Sequence, residues 1–179
     1  MSDRRARLFV ALELPAAARA VLVDFGAATF SSVAGLRLVE ADALHLTLCF
    51  LGSRPPDEIG AIAGACAAVA RTGPAGLTLG GAIWLPVRRP SVVGVKIADP
   101  DGALAQLQAA MAQALGSGSW YEPDERPYLP HVTIARVRRG PRVRPFDLPA
   151  PEPVALDGGA VTLFRSRLGA ERPRYEPLT

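Results

Sequence analysis

Apolar residues fall along this chain in two habits, short continuous or alternating runs and longer stretches with helical spacing, and these separate strands from helices. Leu8-Phe9-Val10-Ala11-Leu12 is a continuous apolar run of strand length. Pro15 suits the first position of a helix, and Ala16 to Phe30 carries a helical pattern. Leu36 to Val39 is a short strand, and His45 to Leu51 another, ended by Gly52. Pro55-Pro56-Asp57-Glu58 opens a second helix running to about Arg71, with its acids in the first turn. Leu77 to Leu85 and Val92 to Ala98 are strands joined by a turn at Pro86 to Pro90. Asp101 to Leu115 is an amphipathic helix, and His131 to Val137 and Val161 to Leu168 are strands.

The order of these elements repeats. Strand Leu8–Leu12 and strand Val92–Ala98 are each followed by a helix, then by a strand that begins with histidine, then by a further strand, at similar intervals. The helix after the first histidine strand has no counterpart in the second half, where a Pro/Arg-rich segment from Pro141 to Pro153 intervenes. The expectation is one α+β domain covering residues 1–179, built from two related, interleaved lobes with no linker between them. Two such lobes facing each other about a pseudo-dyad would place one histidine on each wall of a shared cleft.

The chain has only two histidines, and each opens the same pattern: His45-Leu46-Thr47-Leu48 and His131-Val132-Thr133-Ile134. On a strand, alternate residues share a face, so His45 projects with Thr47, and His131 with Thr133, while the aliphatic residues between them pack inward. Two imidazoles can supply a base and an acid near neutral pH. Two threonine hydroxyls can donate to the non-bridging oxygens of a phosphodiester, where transition-state charge accumulates. Such a site needs no metal and no cofactor. Arg136 extends the second motif, but strict alternation puts it on the opposite face from His131, so a twist or bulge at the strand end is required to bring it into the cleft. Its alternative reading is a solvent-facing arginine at a strand end.

Composition adds a bias and removes several classes. Of the twenty cations, only Lys96 is lysine. Guanidinium forks match phosphate oxygens, although codon bias produces the same excess. Arg136, Arg138, Arg139, Arg142 and Arg144 follow one another without an acid, which reads either as a solvated loop face or as contact with an RNA backbone. Tyr128, Phe50 and Trp84 are candidates for base stacking or for core and rim packing. Metal ligation would need H-E-x-x-H, H-x-H or a cysteine cluster, none of which is present. Cys49 shares a strand face with His45 by strict alternation and is a rival nucleophile, though nothing marks it as an activated thiolate. Cys49 and Cys66 form no C-x-x-C pair and suit reduced, structural thiols. No apolar run reaches membrane-spanning length, and Glu13 interrupts the one segment resembling a leader, so a cytoplasmic location without membrane attachment is expected.

The paired motifs resemble those of the two-histidine phosphoesterase superfamily, and within it the RNA 2′,3′-cyclic phosphodiesterase (2′-5′ RNA ligase) family. The resemblance spans nearly the whole chain. It rests on the opening Arg7-Leu8-Phe9-Val10-Ala11-Leu12-Glu13-Leu14-Pro15, on His45-Leu46-Thr47-Leu48-Cys49-Phe50-Leu51-Gly52, and on the run from Arg126 to Arg136. At the end of the chain, Leu163 to Leu168 and then Arg174 to Leu178 resemble the family's last strand pair. The resemblance implies a bilobal α+β fold with two antiparallel sheets lining a central cleft and helices outside. It implies hydrolysis of 2′,3′-cyclic phosphate ends of RNA, tRNA fragments among them, to 2′-phosphomonoesters by a monomer, with reversible 2′-5′ ligation as a side activity. It assigns proton donation to His45, proton acceptance to His131, and phosphate binding to Thr47, Thr133 and Arg136. Two other readings stay open: a phosphodiesterase for small cyclic nucleotides or ADP-ribose cyclic phosphate, and a non-catalytic RNA-binding module.

Overall fold

The apolar run near the start forms the middle of β1 (Ala6–Glu13), a central strand whose Leu8, Val10, Ala11 and Leu12 are completely buried. The structure is a computed structural model that describes residues 5–140, 143–168 and 173–178. After β1 come α1 (Ala16–Phe30), β2 (Leu36–Leu38) and β3 (His45–Arg54). Then follow α2 (Ile59–Val69), β4 (Thr78–Leu85), β5 (Val92–Ala98), α3 (Ala103–Ser117), β6 (His131–Val137), β7 (Val161–Leu168) and β8 (Pro173–Pro177). Pro15 stands one place earlier than the sequence suggests, as the residue that caps α1 in an extended conformation.

Sequence and structure differ most at two places. Gly52 does not end β3. It adopts a positive φ of 69°, which glycine reaches without steric cost, and the strand continues through this irregularity to Arg54 opposite Ala6. The second predicted helix is shorter than expected: its first turn is a 3₁₀ turn, Pro56–Glu58, before α2 proper.

All the described strands belong to one antiparallel sheet in the order β4-β5-β6-β3-β1-β7-β8, with β2 paired to β6, and with its helices the fold is α+β. The two sheets implied by the resemblance are the halves of this sheet. They join through a single register pair, Leu46 opposite Val132, and β2 takes over the same edge of β6 farther on, from Ala135 to Val137. The sheet therefore parts between β3 and β6 beyond that pair.

The strand order reads as two triplets about the junction. β3 pairs with β1 and β1 with β7 on one side, while β6 pairs with β5 and β5 with β4 on the other. β4 follows the first histidine strand in sequence but lies in the second half, and β7 follows the second but lies in the first. Each half thus takes its outer strand from the other. The core includes Leu22 and Phe30 of α1, Ile62 of α2, and Leu104, Met111 and Leu115 of α3, packed with Leu46, Leu48, Val132 and Ile134 of the histidine strands. The histidine strands are thereby anchored by their aliphatic faces, which leaves the other face to carry chemistry.

Candidate active site

β3 and β6 begin with the same sequence of environments. From each histidine onward the residues are half-buried, buried, half-buried, buried, buried and exposed. The two successive buried residues break alternation, and the pairing shows why. Val10 faces Cys49 and Ala11 faces Thr47, so Leu48 is an extra residue in β3. Val93 faces Ala135 and Gly94 faces Thr133, so Ile134 is an extra residue in β6. A bulge at the same position of each motif returns the residue five places after the histidine to the histidine's face. In β6 that residue is Arg136, and in β3 it is Phe50.

His45, Thr47, His131, Thr133 and Arg136 all line one cleft of about 280 Å³. In an antiparallel register centred on Leu46 and Val132, His45 falls beside Thr133, and Thr47 beside His131. The pseudo-dyad passes between these pairs. The rings are also held alike. His45 Nδ1 lies 2.8 Å from the carbonyl oxygen of Ala43, and His131 Nδ1 lies 2.8 Å from that of Leu129. A carbonyl can only accept, so each Nδ1 carries the proton and donates it, leaving Nε2 as the nitrogen that exchanges protons.

The settings of the two rings differ. His45 sits 4.8 Å from the Phe9 ring and 5.1 Å, edge-on, from that of Tyr175, measured between centroids. Burial pushes its imidazole below the ordinary value of 6.5. The bond to Ala43 opposes this, and the positive charges of Arg136, Arg19 and His131 add to it. Arg19, on α1, also donates to the carbonyls of Ala41, Leu44 and Leu14, tying down the turn that supplies the His45 acceptor. On the other wall, an added Cβ at Gly94 would come within 2.9 Å of His131 Cδ2, so only glycine leaves room for that ring.

Several expectations are corrected by the bulges and the packing. Cys49 does not share the face of His45. It is 1% exposed, and burial, with the neighbouring Cys66, pushes its thiol up to about 12. A neutral, inward thiol is no nucleophile. Tyr128 is not open for stacking, because it is half-buried and its hydroxyl donates to the Thr47 carbonyl at 3.0 Å. Trp84 is buried, and its indole N–H donates to the carbonyl of Phe146. Phe50 alone of the three aromatic candidates presents its ring outward, 65% exposed and on the cleft wall.

The arginine-rich segment divides. Arg136, Arg138 and Arg139 stay at the end of β6, whereas Phe146 packs against Phe30 and Trp84 and draws the chain near Arg144 toward α1. Arg142 lies outside the described residues. Sequence reasoning missed Arg19 and Gly94, which belong to no motif, and gave Tyr175 no role although it lies in the closing segment that carries the resemblance. Among the described residues, no group of three or more His, Cys, Asp or Glu is placed to hold a metal ion. None of the described helices is long and apolar enough to cross a membrane.

A sheet with paired histidine strands at its central seam and helices packed on it is an α+β framework able to carry acid–base chemistry, and comparison gives the family. The chain belongs to the 2′-5′ RNA ligase superfamily, whose profile matches residues 17–166. It is 34% identical to an RNA 2′,3′-cyclic phosphodiesterase of Escherichia coli (strain K12), over 96% of this chain and 93% of that one. A Geobacillus stearothermophilus protein of the same name is 29% identical over 98% of this chain, which spans only 56% of that protein's length. Among solved structures, E. coli LigT in its apo form superposes with a TM-score of 0.78 at 32% identity, covering 98% of this chain and 96% of that one. Its complex with phosphate superposes with a TM-score of 0.75 at 29% identity over the same shares.

Proposed function

We propose that this chain is an RNA 2′,3′-cyclic phosphodiesterase in which His45 and His131 form an acid–base pair across the cleft. The observation that carries the reading is the twofold arrangement of the rings. Both donate Nδ1–H to the carbonyl two residues back, and both share a cleft with the other motif's threonine. The names of the relatives supply the substrate.

In the proposed reaction, water attacks the phosphorus of the cyclic ester and loses a proton to Nε2 of His131. The bond from phosphorus to O3′ breaks, and O3′ takes the proton of His45 Nε2. The product is a 2′-phosphomonoester with a free 3′-hydroxyl, and the proton count closes. The Thr47 and Thr133 hydroxyls and the Arg136 guanidinium stabilise the non-bridging oxygens as charge grows on them. A proton donor must start protonated, and burial of the His45 ring disfavours that state. A phosphodiester anion bound between the rings counters the repulsion from Arg136 and Arg19 and so favours the protonated form of His45, against the burial that lowers it.

The same chemistry run backward joins a 2′,3′-cyclic end to another chain's hydroxyl, which is the basis for 2′-5′ ligation as a side activity. We read the chain as one functional unit of two interleaved lobes, acting as a monomer without a metal on RNA ends such as tRNA fragments. The buried free thiols of Cys49 and Cys66 suit a cytoplasmic setting.

The test is turnover of a nucleoside 2′,3′-cyclic phosphate in EDTA, with the 2′-monophosphate as the expected product. His45→Ala and His131→Ala should each lower kcat by roughly 10²- to 10⁴-fold, with the far-ultraviolet circular dichroism spectrum unchanged. An aryl phosphodiester whose p-nitrophenolate leaves without a proton should restore much of the rate in His45→Ala but not in His131→Ala. The opposite result exchanges the two roles, and full turnover in His131→Ala overturns the mechanism.

A further inference from the structure

Beyond the cleft, three segments are tied together at one end of the second half-sheet. Val137 donates to the carbonyl of Ser91 at 2.8 Å, and Arg138 donates to that of Gly35 at 2.7 Å. Ser91 closes the turn that follows β4 by donating to the Leu85 carbonyl. Arg37 pairs with Arg136 across β2 and β6, so their side chains share a face. Leu38 confirms the facing from the other side, because its Cδ2 packs at Gly26 of α1, which leaves Arg37 on the cleft side of β2. Arg138, two residues beyond Arg136, continues that face, and its Nε donates to the Leu36 carbonyl, which fixes the side chain along the rim. Arg88 and Arg89 are exposed in the adjoining turn, and Arg139 is exposed just after β6.

Arginine dominates the charge of this rim, with Glu40 as an acid at its β2 corner. No Asp or Glu occurs within residues 33–39, 84–98 or 131–146, although the chain as a whole carries 17 acids against 20 cations. The opposite wall is mixed, since Arg167 of β7 is bound to Glu176 of β8 at 2.7 Å. The row of guanidiniums from Arg136 through Arg138 and Arg139 to Arg88 and Arg89, in segments without an acid, matches a polyanion whose phosphates recur along a strand.

We propose that Arg88, Arg89, Arg138 and Arg139 form a seat for the RNA backbone on the 5′ side of the reacting end. The chain therefore enters the cleft over the β2–β6 edge and the β4–β5 turn. The proposal rests on the reading of the cleft as a site for RNA ends and adds the direction of entry. The seat contacts phosphates and carries no base preference, so it accepts many sequences.

The experiment compares two substrates of the native chain and of Arg88→Ala/Arg89→Ala/Arg139→Ala: a nucleoside 2′,3′-cyclic phosphate and a ten-nucleotide RNA ending in the same group. The triple variant should lose about tenfold or more in kcat/KM on the RNA and less than about twofold on the nucleoside. The slope of log KM against log salt for the RNA should fall by about 2, at roughly 0.7 for each lost phosphate contact on a single strand. A control, Arg71→Ala/Arg126→Ala/Arg174→Ala, removes equal charge from other exposed positions. Equal losses in the control, equal losses on both substrates, or an RNA slope unchanged in the triple variant would overturn the seat. Affinity for 5′-labelled RNA, read by fluorescence anisotropy, keeps the tests separate. A native chain that hydrolyses neither substrate defeats the catalytic reading, while the seat still stands or falls on the affinity difference between the variants.

Discussion

The two histidine strands are nearly the same machine for five residues and part company at the sixth. β3 and β6 share the histidine, the threonine, the bulge and the backbone acceptor two residues before the ring. Their partner strands also match, with the register shift falling between Val10 and Ala11 in β1 and between Val93 and Gly94 in β5. The difference lies in what the bulge delivers. In the first half it delivers Phe50, opposite Phe9 and within an aromatic group that includes Tyr175. In the second it delivers Arg136, opposite Val92 and beside Arg37. A repeated scaffold therefore makes a polar cleft with unlike ends, one that favours a flat apolar group and one that favours charge. A nucleotide has both.

Variants at the unlike positions test this contrast. Arg136→Ala should produce the largest effect, a fall of roughly 10²- to 10³-fold in kcat/KM, as expected when a donor to developing phosphate charge is removed. A loss confined to KM would assign Arg136 to ground-state binding alone. Next is Gly94→Ala, because the first half-sheet has Ala11 opposite Thr47 where the second has Gly94 opposite Thr133. The new methyl displaces the His131 ring, and kcat should fall by about tenfold to a hundredfold, the range in which misplaced groups lose rate. Ala11→Gly should leave kcat nearly unchanged, and equal effects at both positions would dissolve the contrast. Phe50→Ala should raise KM for a nucleoside cyclic phosphate by about tenfold, consistent with ~1–3 kcal/mol for an aromatic platform under a base. Phe50→Trp should restore it, and a base-free ribose cyclic phosphate should not distinguish the two variants.

The smallest expected effect is on stability. The imidazole of His45 is lowered in the fold relative to 6.5, so the unfolded chain binds its proton more readily. The associated stability is fully present above pH 6.5 and is lost as the pH falls through the lowered native value. Denaturant midpoints measured across that interval should decline in the native chain and decline less in His45→Gln.

Much of this was legible in the residues, for physical reasons that also mark where it stopped. α1, β5, β6 and β7 begin and end where apolar spacing places them, because burial on one side governs them. The histidine–threonine pairs were legible because alternation is a local rule. Alternation also placed Cys49 with His45, and that failed at Leu48, whose extra position is set by pairing with β1 rather than by anything in β3 itself. The same blind spot left Arg136 dependent on an unproven bulge and kept Phe50 among three equivalent aromatics. Gly94 and Arg19 act across the fold, one by leaving space and one by holding a turn, and neither signal exists in one dimension. Interleaving of the lobes was expected, but which outer strands they exchange was hidden, since the order of elements along the chain is the same either way.

That exchange governs how the molecule can come apart. Severing the backbone between β4 and β5 leaves each fragment missing a strand of its half-sheet, with a bare ladder edge where β4 or β7 belongs. Neither piece is a self-sufficient lobe, and only mutual complementation restores the architecture. The walls of the cleft are therefore braided, each held by a strand that the other half of the chain supplies.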